Sequence, residues 1–257
     1  MRLGIGTVQF GRDYGVTNAG GKVPAEQVRR ILDRAASAGM DLLDTATLYG
    51  ESETTLGAAM PAGHGFRIVT KTAQFQSPVI TANDATDLLQ TFRLSLKKLR
   101  RPAIYGLLLH RATDMLGPGG DRLFDALRQI KAEGLAKKIG ASVYTGEEID
   151  RLMDMGDLDL IQLPLNWLDQ RLAASGHLAK LHAAGIEIHA RSAFLQGVLL
   201  QAPDSLPAYF APLRPHLAAC RARMAAAGYS PVSAALAYPL SHPEVSAVVC
   251  GVTSVHE

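Results

Sequence analysis

Eight short runs rich in valine, isoleucine and leucine recur along the chain, separated by longer amphipathic segments. The runs are Leu3–Val8, Asp41–Asp44, Arg67–Lys71, Ile104–His110, Lys137–Ser142, Leu158–Pro164, Ile186–Ser192 and Val245–Gly251. They are apolar through and through, not alternating, which suits strands covered on both faces and paired in parallel. The spacers have helical periodicity. Residues 24–39 put Val28, Ile31, Leu32 and Ala35 on one face. Residues 82–99, 121–134, 145–156, 171–185 and 215–228 behave alike, and Gly39, Gly134, Gly185 and Gly228 stand where helix C-termini favour glycine. Eight strand–helix units in 257 residues match a (β/α)8 barrel, a fold of about 250 residues. An open doubly wound sheet would want G-x-G-x-x-G after its first strand. The GIGTVQFG found there lacks that spacing. One barrel domain over residues 1–257 is therefore expected.

With 47% hydrophobic residues the chain can fill such a core, and a net charge of +2 gives no electrostatic footprint for nucleic acid or a membrane surface. The densest basic run, Lys97 to Arg101, falls at a helix end, where cations suit the dipole. Cys220 and Cys250 have neither metal-ligand spacing nor the look of a disulfide framework. No signal peptide and no apolar run of about 18 residues is evident, so a cytoplasmic location is expected.

In such a barrel the loops after the strands build the active site. Asp44 ends the second strand, with Tyr49 in its loop; Lys71 ends the third and His110 the fourth. A tyrosine ordinarily titrates near pH 10, a nearby ammonium favours its phenolate, and a carboxylate keeps that ammonium charged in a buried place. Asp44, Lys71 and Tyr49 thus form a candidate proton relay, with His110 placed to orient a substrate oxygen. Two electrons must come from elsewhere, and with no P-loop, PLP or metal-cluster signature a hydride cofactor is the economical inference. Each residue has a plainer role open to it. Asp44 could bond loop amides, Lys71 could make a structural ion pair, His110 could be a satisfied core histidine and Tyr49 a packed loop aromatic. Ser52 is expected to be a plain N-cap.

DTATLYGESE (44–53), with IVTK (68–71) and LLLHR (107–111), resembles the aldo-keto reductases, with the lysine 27 residues after the aspartate and the histidine 39 after the lysine. IGAS, IQLPLN, RSAFLQG and VVCGVTS look like that family's later blocks, so the resemblance runs from Leu3 to Ser254. It implies a metal-free reductase using NADP(H) or NAD(H) on a small-molecule carbonyl substrate. Tyr49 would be the general acid, supported by Lys71, Asp44 and His110. Ser142 and Gln162 would hold the nicotinamide carboxamide. Ser192, Phe194 and Gly197 would line the pyrophosphate side, and Gly251, Thr253 and Ser254 the adenosine side. Gly6, Thr7 and Asp44 complete the cofactor set. Tyr14, Asn166 and Trp167 are the substrate-loop candidates. TVQFGRDYGVTNAGGKVP and ARSAFLQGVLL also look like a bacterial branch found with polysaccharide and sugar biosynthesis, which suggests a sugar-like substrate.

Three positions depart from the family pattern. Val143 stands where asparagine is usual. Arg191 stands where many members stack an aromatic on the nicotinamide; its guanidinium can stack there or meet an anionic substrate. Gly251 stands where some members have a phosphate-binding lysine. The sequence stops at Glu257, where the family continues into a helix that grips the adenosine, and loss of that helix would leave apolar surface bare on the first and last strands. Two other functions fit less well. One is a non-catalytic nucleotide-sensing or partner-binding barrel. The other is a metal-dependent hydrolase or isomerase using His110, His189 and Asp44.

Overall fold

A computed structural model of the chain describes residues 2–60 and 63–257. Eight parallel strands close into a barrel in chain order, β1 pairing with β8. They are β1 (Leu3–Gly6), β2 (Leu42–Asp44), β3 (Arg67–Lys71), β4 (Ile104–Leu109), β5 (Ala136–Ser142), β6 (Leu160–Pro164), β7 (Glu187–Arg191) and β8 (Ala247–Gly251). Each lies within a residue or two of the apolar run that announced it. The helices are α1 (Val8–Gly11), α2 (Ala25–Ser37), α3 (Ser52–Ala59), α4 (Ala82–Leu99), α5 (Ala112–Leu116), α6 (Asp121–Ala132), α7 (Gly146–Met155), α8 (Arg171–Ala174), α9 (His177–Ala183), α10 (Arg214–Ala226) and α11 (Pro231–Leu240).

The helices α2, α4, α6 and α7 sit as their periodicity dictates, α2 burying Val28, Ile31, Leu32 and Ala35, whereas α10 buries only Leu217 and lacks the apolar stripe expected of 215–228. Thr81 and Thr145 close capping boxes with Asp84 and Glu148 at the starts of α4 and α7. The four stop glycines all have positive φ, between 72° and 81°. The segment 171–185 is two helices, because Gly176 at φ 79° interrupts it. The helix α11 carries no amphipathic stripe: it is apolar all round, and Ser230 caps it with Pro231 at its first position.

Outside the barrel wall one continuous core joins strands to helices; inside it Leu42, Val69, Leu108, Leu160 and Ala247 form a separate layer. On the first and last strands Ile5, Val248 and Cys250 are buried and Leu3 is half-exposed. Leu3, Ile5, Val249 and Cys250 nevertheless line an open cleft together with Ile31 and Ala35 of α2 and Val232 and Leu236 of α11, so an apolar wall is open on these two strands.

The barrel also contains a polar knot well away from the strand ends that carry Lys71 and Ser142. Glu187 accepts hydrogen bonds from Tyr105 (2.7 Å) and Lys138 and pairs with His189 (2.7 Å). Burial alone would raise the Glu187 pKa, but those partners hold it well below the usual carboxylate range. Replacing Glu187 with alanine strands three polar groups. Urea unfolding is expected to show a loss of about 2–4 kcal/mol.

Candidate active site

Local packing brings Tyr49 to its place. The turn after β2 is closed by Tyr49 N–H donating to Ala46 O (3.0 Å) and Ser52 N–H to Tyr49 O (3.1 Å). The end of α1 presses directly on this turn. A Cβ on Gly11 would lie 1.8 Å from Tyr49 O, and one on Gly50, at φ 59°, 2.5 Å from Gly11 O. Only two glycines let these backbones meet so closely. Ser52 is not the N-cap that the sequence suggested. It is wholly buried at the first position of α3, where its Oγ donates to Thr7 O (2.8 Å), accepts from Thr45 Oγ1 (3.0 Å) and lies 2.8 Å from Thr7 Oγ1. Thr7 Oγ1 in turn donates to Asp44 O (2.9 Å). Glu53, also buried, accepts from Thr70 Oγ1 at 2.7 Å. The serine and glutamate of GESE are thus braces between the strand ends.

Within this frame Lys71 Nζ donates to Asp44 Oδ1 at 2.6 Å and to Thr45 O at 3.1 Å. Both partners of the ion pair are almost wholly buried. Gln162 donates to the second oxygen, Asp44 Oδ2, at 2.7 Å. Burial alone would lower the Lys71 pKa, but the Asp44 carboxylate reverses this and Tyr49 adds to it, so the ammonium titrates above its usual range. The lysine nitrogen lies 5.2 Å from the centre of the Tyr49 ring. The His110 ring meets Tyr49 edge-on, with centroids 5.8 Å apart. Burial, with the Lys71 charge behind it, lowers the His110 pKa to about 4, so the imidazole is neutral at neutral pH. His110 Nδ1 is buried without a hydrogen-bond partner among the described residues.

These four residues line a cleft of about 1210 Å³ that runs from the strand ends towards α2 and α11. Gly6, Thr7, Tyr14, Ser142, Gln162, Arg191, Ser192, Phe194, Gly197, Gly251, Thr253 and Ser254 line the same cleft. Two sequence candidates do not. Asn166 is buried and held by its own loop, its side chain donating to Ser192 O and accepting from the Leu168 and Asp169 amides. Trp167 packs on a separate apolar cluster around Val198, Leu199, Leu206 and Leu217. Gln9 and Tyr144 line the cleft unannounced. Tyr144 follows the fifth strand by two residues, and that position was its one sequence signal. After β7 the backbone takes positive φ at Ser192, Leu195, Gln196 and Gly197. A Cβ on Gly197 would strike Thr17 at 1.9 Å, so this loop is seated on the loop after β1. Among the described residues no group of three His, Cys, Asp or Glu side chains could hold a metal, and no helix is long and apolar enough to cross a membrane. His189 is buried against Glu187.

The model of the aldo/keto reductase family matches residues 2–257. The oxidoreductase sirO of Leptosphaeria maculans is 29% identical over 198 residues, which is 73% of this chain and 57% of that protein. An aldo-keto reductase of Bacillus halodurans, solved in its holo form, superposes with a TM-score of 0.78 at 21% identity, covering 99% of this chain and 83% of that one. The glycerol dehydrogenase of Gluconobacter oxydans superposes with a TM-score of 0.74 at 18% identity, covering 99% and 83%. The chain belongs to the aldo/keto reductase family.

Two outcomes follow from this geometry. Asp44→Ala leaves a buried ammonium and Lys71→Met a buried carboxylate, and each is expected to cost about 3–5 kcal/mol in urea unfolding. The double variant should cost clearly less than their sum. His110 has the same sign of linkage as a paired acid, and the opposite sign to a histidine that gains an anionic partner. Its folded pKa lies below the unfolded value near 6.5, so the unfolded chain takes up this proton first. Its contribution is fully present above about pH 6.5 and is lost as pH falls towards 4. Melting temperatures measured between pH 7 and 4.5 should fall less steeply for His110→Asn than for the parent.

Proposed function

We propose that the protein is an NAD(P)H-dependent reductase that converts an aldehyde or ketone to an alcohol. The observation that supports this best is the convergence of a phenol, a buried ammonium paired with a carboxylate, and a neutral imidazole at one end of a long cleft.

The residues present suit a dinucleotide. The cleft is long, and its wall offers hydroxyls and amides at Ser142, Ser192, Thr253 and Ser254. The Thr253 N–H and hydroxyl already hold a carboxylate, that of Glu257, at 2.6 and 3.0 Å, so these donors fit an anionic oxygen. Gln9 Oε1, buried and unpartnered, lies beside Gly251. Ser142 and Gln162 would hold the nicotinamide end, with Gly6, Thr7 and Asp44 beneath it; Ser192, Phe194 and Gly197 would hold the middle, and Gly251, Thr253 and Ser254 the far end. When bound, the nicotinamide supplies or accepts the hydride.

The chain's own groups handle the proton. Tyr49 donates it to the carbonyl oxygen as negative charge develops there. The phenolate left behind lies beside the Lys71 ammonium, where a fixed cation stabilises it more strongly than water does. Asp44 keeps that ammonium charged and in place. His110, neutral at working pH, gives one N–H to the substrate oxygen and orients it without repelling Lys71. Tyr14, on the rim, borders the substrate space.

Tyr49→Phe is expected to lower kcat by about 10²-fold or more. The affinity for NADPH, read from the emission of the nicotinamide itself, should stay within about threefold. Turnover of an aldehyde panel at parental rates by Tyr49→Phe would end this reading. Cofactor binding with no turnover by the parent would favour a nucleotide-sensing barrel.

A further inference from the structure

The cleft contains a cation that the proton relay does not use. Arg191, the last residue of β7, lines the same wall as Tyr14, Tyr49 and His110. Three contacts fix its plane. Nε donates to Ser142 Oγ (3.3 Å), one terminal nitrogen to Ser192 Oγ (3.3 Å), and the other to Val143 O (3.2 Å). One face of the guanidinium lies over the Tyr144 ring, 4.2 Å from its centre. A guanidinium has five N–H donors, so two are left without a protein acceptor. All three acceptors are neutral, and no carboxylate among the described residues pairs with Arg191. The carboxylate whose titration its charge touches, Asp169, is already held by Arg171 at 2.8 and 2.9 Å.

The charge at this end of the cleft is therefore positive. Lys71 is neutralised by Asp44, His110 is uncharged at neutral pH, and Arg191 has no ion-pair partner among the described residues, while the Arg12 charge also reaches Tyr14. Its charge also bears on Tyr14 and His110, which places it within electrostatic reach of the space in front of Tyr49. A rigid, half-buried, unpaired guanidinium with free donors suits a carboxylate or phosphate, and a planar fork binds either in two-pronged fashion.

We propose that Arg191 anchors a negatively charged group of the substrate, so that the substrate is an aldehyde or ketone bearing a carboxylate or phosphate. This rests on the reductase function above and names its substrate class. The fork is held from behind by Ser142, Val143 and Tyr144. The strained turn at Ser192, φ 60°, begins directly after it, so the backbone gives Arg191 little freedom to swing away.

The test compares kcat/KM for succinic semialdehyde against butanal, and for glyceraldehyde 3-phosphate against glyceraldehyde. The parent is expected to favour at least one charged member about 10- to 100-fold, the amount a charged hydrogen bond supplies. Whichever pair shows it tells carboxylate from phosphate. In Arg191→Gln the ratio should fall towards one, and Arg191→Lys should restore part of it. Raising the salt concentration should weaken the parent's preference, since the site is open to solvent. A ratio within twofold of the parent's in Arg191→Gln overturns the proposal, all the more if NADPH binding is what weakens. If no carbonyl compound is reduced, the reductase reading fails separately, and thermal shift with inorganic phosphate or succinate decides the anion site. Stabilisation of the parent that Arg191→Gln loses supports it; no stabilisation of the parent overturns it.

Discussion

The ion pair between Lys71 and Asp44 is the interaction on which the rest of the site depends. Two charges taken out of water gain little net stability from each other, and an apolar pair of similar volume would serve a core as well or better. Stability therefore gives no reason to keep this pair inside a barrel. The proton transfer proposed for Tyr49 does. The pair holds a fixed positive charge next to a phenol, and its cost is limited because nearly every donor and acceptor is used. Asp44 receives Lys71 on one oxygen and Gln162 on the other, and Lys71 also reaches Thr45 O.

The surrounding structure can be understood as what holds this pair and its tyrosine in register. The strand ends of β2 and β3 carry the two charges, and adjacent parallel strands fix their separation. The contact of Gly11 with the Tyr49 turn sets the height of the phenol above them. Ser52 joins the hydroxyls of Thr7 and Thr45 beneath that turn, and Glu53 ties α3 back to Thr70, the residue before Lys71. Of these braces only Thr7 lines the cleft, yet a shift in any of them would move the phenol relative to the ammonium. Gln162 illustrates a double use. The family resemblance gives it to the nicotinamide carboxamide, while in this chain its amide nitrogen also restrains Asp44.

Much of this was legible in the sequence, for physical reasons that differ by element. The strands are continuous apolar runs because both of their faces are covered, and that pattern is visible in a single sequence. The catalytic candidates were legible because a carboxylate, a lysine and a histidine each closed an apolar run, a place where charge is costly unless it has work to do. The helix Pro231–Leu240 was not legible, since a helix apolar on all sides has no stripe to reveal it. The break at Gly176 was hidden because glycine continues or ends a helix with equal ease on paper. Ser52 looked like a cap because serine before a helix usually is one, and its burial among threonines depends on strands 45 residues away. Asn166 and Trp167 were placed at the substrate by their loop alone. Sequence position fixes which loop a side chain occupies, not whether it faces the cleft or the loop's own backbone.

The central claim is that the Lys71 charge drives the chemical step instead of merely filling the barrel. Single-turnover reduction of an aldehyde by the NADPH complex tests this most directly when the parent is compared with Lys71→Met, at a temperature where circular dichroism finds both folded. The account predicts a chemical step slower by about 10²-fold or more, the scale of a lost transition-state charge partner, with NADPH affinity within about threefold. An unchanged single-turnover rate in Lys71→Met would contradict it.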